Sequence, residues 1–156
     1  MSASLLDTSG SLEASSASSR SAPRPALRIQ LIETLAEFAQ LQEGWSRLAC
    51  MAHAPPFQTY QWCHAWVRSI GAAQGYLPRV AAAWWDTHLV GILPLVHRSY
   101  RGIRLLEWIG ARVSDYCDAL VHPAYDRALL LRTMWGKITE RNDYDSCDWD
   151  RCRMTL

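Results

Sequence analysis

Two apolar runs, Leu77 to Trp85 and His88 to Val96, are separated only by Asp86-Thr87. Apolar runs joined by two residues signal a β-hairpin, although Asp-Thr is a weaker turn than Asp-Gly. A third run, Ile103 to Ile109, ends at Gly110. Three strands in close succession commit the chain to an antiparallel meander, and the other elements must pack against it. Pro94 lies inside the second run and cannot donate to a ladder, so it marks an edge, a bulge or the end of that strand. Neighbouring Trp84 and Trp85 must point to opposite faces.

Upstream, Leu27, Ile29 and Leu31 alternate with Arg28, Gln30 and Ile32, which reads as a strand. Thr34-Leu-Ala-Glu37 is a capping box that opens a helix. Leu35, Phe38, Leu41, Trp45 and Leu48 follow at helical spacing and predict one apolar face. Pro55-Pro56 breaks the chain. A second helix is expected over 59–70, with Trp62, Trp66, Val67 and Ile70 on one face and Gly71 as its C-cap. Downstream, a short strand is expected around 119–121. Pro123 then opens a helix through Leu129, Leu130, Met134 and Ile138, and residues 147–154 form a last strand. The expected class is mixed α/β: a mostly antiparallel sheet flanked by helices, in the order β-α-α-β-β-β-(β)-α-β.

The 156 residues suit one domain. Residues 1–26 are Ser-, Ala- and Pro-rich, with nine Ser between Ser2 and Ser21, and are expected to be a disordered tail ahead of a folded lobe over 27–156. A net charge of +1 without a basic face argues against a nucleic-acid partner. No apolar run approaches the ~18 residues that span a bilayer, and the N-terminus lacks a secretory pattern. Five Cys, an odd number without a CxxC, fit a reduced cytoplasmic protein.

Local strings narrow the reading further. Trp45, then Pro56-Phe57-Gln58-Thr59-Tyr60-Gln61-Trp62 with Trp66, resemble a stretch of the CelD-like proteins. Gly91-Ile92-Leu93-Pro94-Leu95 and Gly110 with Ser114-Asp115-Tyr116-Cys117-Asp118 are similar to a strand and a loop of the same group. The element order resembles the opening of the GNAT acyltransferase fold. The resemblance implies acyl transfer from acetyl-CoA or another acyl-CoA to an amine or hydroxyl of a small molecule or glycan precursor, in cellulose or exopolysaccharide biosynthesis. It also implies a FemAB-like arrangement of two lobes, this chain being the N-terminal one and the second carrying the donor site. A lobe of that kind can self-associate through the face its partner would cover.

GNAT domains seat the donor's pyrophosphate on a Q/R-x-x-G-x-G/A turn at a helix N-terminus, where free N–H groups and the helix dipole attract it. Here the turn reads Val121-His122-Pro123-Ala124-Tyr125-Asp126. It has no glycine, Pro123 lacks an N–H, and Asp126 opposes a phosphate. The chain alone is therefore not expected to hold the cofactor.

Asp115 could act as a general base toward the acceptor, and Tyr116 as an acid toward the departing thiolate. Asp118, Trp85 and Arg98 are candidate acceptor-binding residues. Each has a structural alternative. Asp and Ser organise turns, Trp packs cores, and the basic run His97 to Arg104 can be a solvated hairpin tip. The cysteines read as structural thiols: Cys63 and His64 are adjacent on a helix and diverge by ~100°. Cys50-x-x-His53 and Cys147-x4-Cys152 have poor spacing for zinc, and no metal is expected. The rival reading is a non-enzymatic binding or scaffold module in envelope polysaccharide assembly.

Overall fold

The computed structural model describes residues 26–114 and 117–148. The element order is β1 (Leu27–Ile32), α1 (Leu35–Gln40), α2 (Gln42–Met51), α3 (Tyr60–Trp66), β2 (Leu77–Trp85), β3 (His88–Tyr100), β4 (Ile103–Trp108), β5 (Leu120–Val121), α4 (Arg127–Thr139) and β6 (Ser146–Asp148). The six strands form one sheet in the order β1-β2-β3-β4-β6, with β5 added to β3. Pairing is antiparallel except between β4 and β6, which run parallel on either side of the α4 connection. The expected mixed α/β class is the observed one.

The meander is built by two tight turns. Asp86 takes φ 56° in the first, as a short polar residue can. Arg101 and Gly102, at φ 51° and 82°, make the second, the left-handed pair that suits strand twist. The capping box also forms: Glu37 N donates to Thr34 Oγ1 at 3.2 Å, and Thr34 N donates back to Glu37 Oε2 at 3.0 Å.

The sheet is buried on both faces. On one face α1, α2 and α3 cover Val80, Ala82, Ile92 and Val96 with Phe38, Leu41, Trp45, Leu48 and Trp66. On the other, Leu130, Leu131, Met134 and Ile138 of α4 cover Ala81, Ala83, Leu93, Leu95 and Trp108. Trp45 and Trp108 are among the largest fully buried side chains. A large core side chain of this kind contributes about 1.5–3 kcal/mol by burial. Small residues let the layers close: a Cβ on Gly91 would sit 3.3 Å from both Ala83 Cβ and Met134 Cε. Between Ala83 and Trp84 the register shifts, and Val90 is the extra residue of a β-bulge. Leu89 and Ile92 consequently face α1–α3, while Val90 and Leu93 face α4.

Several expectations need correction. The predicted first helix is two, α1 and α2, broken at Leu41, whose N–H reaches back to Phe38 O in a tightened last turn. Leu35, the first residue of α1, is 47% exposed, whereas Phe38 one turn on is fully buried. The helix beginning with α3 passes through a π-helical turn, Val67–Gly71, and Ile70 in that turn is 36% exposed. Gly71 is not a left-handed cap: its lack of a side chain admits the Trp66 ring, 3.1 Å from where a Cβ would stand. Gly75, at φ 74°, makes the reversal instead. Pro123 does not open α4. The helix starts at Arg127 behind an Asp126 N-cap, so Leu129 is 50% exposed and the core face is Leu130, Leu131, Met134 and Ile138. The last strand is seen over Ser146–Asp148, and the rest of its expected span lies outside the described residues.

Pro94 resolves as a junction. It lies mid-strand and faces Val80 of β2. On its other side, β4 pairs with residues 95–100 of β3 and β5 with residues 91–92. The missing N–H thus falls where β4 has ended and β5 has not begun. Pro94 O still accepts from Ile109 N at 3.0 Å.

Candidate functional site

Because β4 and β5 share one edge of β3, the chain from Ile109 to Asp126 makes an excursion before α4. Gly110 permits it. Its φ is 82°, and a Cβ there would lie 2.0 Å from the Trp62 ring. Trp62 in turn meets Phe57 edge-on at 5.5 Å. The excursion therefore returns against the turn Pro56–Gln58 and leaves a cleft of about 490 Å³ between that turn, β5 and the start of α4. Volumes of this order suit small-molecule sites.

Pro55, Phe57, Ala119, Leu120 and Val121 give the cleft apolar walls, and Gln58, Asp118 and Arg127 supply its charged and amide side chains. Asp118 Oδ1 accepts from Arg127 Nη2 at 2.6 Å and from Ala119 N at 2.7 Å. Arg127 Nη1 also donates to Ala119 O at 3.2 Å. Gln58 is only 7% exposed. Its backbone is pinned at both ends: its N donates to Pro55 O, and its O accepts from Trp45 Nε1 at 2.8 Å.

The N-terminus of α4 borders this cleft, and Asp126 caps it from within the chain. Asp126 Oδ1 accepts from Leu129 N at 3.0 Å, and Asp126 O accepts from Leu130 N at 3.0 Å. His122 Nδ1 takes Ala124 N at 3.1 Å. Of these donors, Leu129 N is the one that a helix N-terminus would otherwise direct at an anion; the Leu130 bond is the first of the helix itself, and Ala124 precedes the cap.

The candidate residues fall in different places. Asp115 and Tyr116 lie outside the described residues. Asp118 lines the cleft. Trp85 is 37% exposed near the β2–β3 turn and packs on Tyr125 at 5.8 Å, which meets His122 at 5.3 Å. Arg98 sits on β3 opposite Leu105, six positions along from the Ile92–Leu120 pair, which is about 20 Å at strand rise. The structure does not bring Asp118 and Arg98 together.

Arg98 belongs to a buried group that the sequence reading missed. Glu107, 3% exposed, accepts from Tyr76 Oη and faces Arg98 Nε at 3.5 Å and Arg112 Nη2 at 3.4 Å. Arg98 also lies 4.6 Å over the Tyr76 ring. Burial, followed by the hydrogen bond to Glu107, pushes the Tyr76 hydroxyl up to about 12. The signal was present: an acid inside the apolar run Ile103–Ile109 must be paired if it is buried. A second network holds buried Arg79 between Glu33 at 3.2 Å and Asp143 at 2.9 Å, and so ties β1, β2 and the segment after α4 together.

Burial pushes the Cys63 thiol up to about 12, with Cys117 nearby adding to the effect. That makes Cys63 a poor nucleophile at neutral pH. Among the described residues, no group of three or more His, Cys, Asp or Glu is placed to hold a metal. No helix among them is long and apolar enough to cross a membrane.

No family model and no curated protein matches the chain. Among solved structures it is similar to a ribosomal-protein-alanine N-acetyltransferase from Brucella melitensis biovar Abortus 2308, at 15% identity and a TM-score of 0.41, over 78% of this chain and 77% of that one. It is also similar to the PaiA N-acetyltransferase from Thermoplasma acidophilum, solved in complex with coenzyme A, at 12% identity and a TM-score of 0.39, over 78% and 77% of the two chains.

Proposed function

We propose that the chain is an acyltransferase-type lobe of GNAT architecture that presents the acceptor side of a cleft and does not itself seat the pyrophosphate of an acyl-CoA. The observation that carries the reading is the N-terminus of α4, where the Asp126 carboxylate takes Leu129 N. A phosphate there would displace a bonded carboxylate of its own sign. What supports the acyltransferase part is the architecture: an antiparallel meander extended by a parallel β4–β6 pair, with α4 as the connection.

In this reading the acyl group comes from a donor held on a second lobe, and the acceptor is an amine or hydroxyl presented near Asp118. Catalysis is by positioning and proton removal. Asp115 as base and Tyr116 as acid are part of the proposal, as is a role in exopolysaccharide assembly. Asp115→Asn in the protein carrying both lobes tests the base, and unchanged turnover removes it.

The test of the central claim is calorimetric titration of acetyl-CoA into the folded chain. The expected result is no saturable heat. Saturable binding would mean that the donor site is here and the assignment of lobes is wrong. The Asp126 cap on α4 also favours the rival reading, a non-enzymatic binding module. The two separate on acceptor-dependent release of free thiol from acetyl-CoA by the two-lobe protein, which only the first predicts.

A further inference from the structure

Arg98 carries its charge into surroundings that do not match it. Its side chain is 13% exposed, and its Nε is buried without a hydrogen bond. Its ion pair with Glu107 runs through that same atom at 3.5 Å, whereas a charge-assisted N–H···O bond closes to about 2.7–2.9 Å. Its other neighbours are rings, Tyr76 at 4.6 Å and Tyr100 at 5.2 Å. Rings steady a guanidinium but offer its five N–H donors no oxygen. A charge this far from water is normally paired and hydrogen-bonded, because its desolvation is otherwise uncompensated.

Glu107 does not make up the difference. It is 3% exposed, its Oε2 already accepts from Tyr76 Oη, and its Oε1 faces Arg112 Nη2 at 3.4 Å. The acids after α4 are engaged as well: Asp145 pairs with Arg104 at 2.9 Å and Asp143 with Arg79 at 2.9 Å. At the hairpin tip Arg101 brings a further positive charge, 5.3 Å from the Tyr100 ring. Donors and positive charge are in excess around Arg98, and acceptors are short. Glu107 approaches the guanidinium on its Nε side, which leaves the Nη side for a second acceptor. A neutral hydroxyl there would leave the charge unmatched, and an ammonium would be repelled. A carboxylate or a phosphate supplies both the charge and the paired oxygens that fit the planar fork.

We propose that the arms of the β3–β4 hairpin hold an oxyanion site, in which Arg98 takes the carboxylate or phosphate group of a ligand and Arg101 adds attraction from the tip. The site is separate from the cleft at β5: Arg98 stands about 20 Å along β3 from the Ile92–Leu120 pair. It does not rest on the acceptor-side reading of the lobe.

The experiment titrates sodium phosphate, sodium acetate and neutral acetamide into the whole chain at constant ionic strength, and follows the Arg98 Nε–H resonance by NMR. The expected result is a saturable shift with phosphate, with acetate or with both, and none with acetamide. The anion that binds more tightly identifies the group the site is built for. Arg98→Lys keeps a positive charge beside Glu107 but loses the fork, and should weaken that anion by about 10- to 100-fold, the value of one charge-assisted hydrogen bond. Arg101→Gln, at an exposed turn, should weaken it by about two- to fivefold. Absence of saturable binding by either anion overturns the proposal. So does binding that leaves the Arg98 resonance unmoved, or that acetamide reproduces. The wild-type resonance and Arg101→Gln keep the test decisive if the Arg98 variant does not fold. Acetyl-CoA heat that persists in excess phosphate belongs to a donor site and not to this one, so the assignment of lobes and the oxyanion site fail separately.

Discussion

Gly110 and Gly102 share φ 82° but not their surroundings, and substituting each by Ala separates two costs that are usually confounded. At Gly102 a new Cβ meets nothing within 4 Å, so only the backbone conformation is penalised. That penalty is about 1–2 kcal/mol. At Gly110 the same Cβ would stand 2.0 Å from Trp62 Cη2, 2.5 Å from Cζ3 and 2.8 Å from Ser114 Oγ. Carbon atoms rest about 3.5 Å apart, so the indole must retreat by about 1.5 Å. Phe57 is packed edge-on against it, and overpacking of this kind adds about 1–3 kcal/mol. Gly110→Ala should therefore cost about 2–5 kcal/mol in all. Urea unfolding followed by tryptophan fluorescence measures both variants, with the slope checked for constancy. Trp62→Ala in the Gly110→Ala background should recover much of the excess through a favourable coupling term. Equal losses for the two glycine variants, or no coupling to Trp62, would refute the steric argument. It would also remove the reason for thinking that Gly110 sets the wall of the cleft.

Three further outcomes follow from how groups are buried. Tyr76 should ionise near pH 12 in a spectrophotometric titration, well above a free phenol. Since the folded value is raised, its contribution to stability is complete below pH 10 and fades as the pH climbs toward 12. Tyr76→Phe leaves Glu107 without its hydroxyl donor and should cost about 1–3 kcal/mol in the same urea assay. Among the thiols, exposed Cys50 should alkylate readily at pH 8, whereas buried Cys63 and Cys117 should react only on unfolding. Peptide mapping by mass spectrometry after a short iodoacetamide pulse reads this directly, and early labelling of Cys63 would contradict its placement.

The parts of the fold that are legible in the sequence are those set by local chemistry. Thr34 and Glu37 specify a helix start by themselves, and Asp86-Thr87 between two apolar runs specifies a hairpin. What resists reading is set by distant partners. The π-turn at Val67–Gly71 has no local motif that marks it, and the burial of Glu107 rests on Tyr76 and Arg98 from other strands and loops. At α4 two start signals compete, and the Asp126 side chain prevails over Pro123 because it satisfies Leu129 N. In the cleft, Asp118 stood out as a charged loop residue. Gln58 did not, because its burial depends on the bond its carbonyl accepts from Trp45, thirteen residues away in sequence.

The strand pairing also sets an order of assembly. The turns at Asp86-Thr87 and Arg101-Gly102 close the β2–β3–β4 meander at almost no cost in loop entropy. Leu105 meets Ser146 only after the excursion and the whole of α4 have been threaded, and β1 must wait for three helices before reaching β2. Long-range pairings of this kind form late. Until β6 arrives, the outer edge of β4 presents unpaired N–H and C=O groups, which is the form of a strand that invites another chain. The short β6 thus covers, over Leu105–Glu107, an edge that would otherwise be open to misassembly.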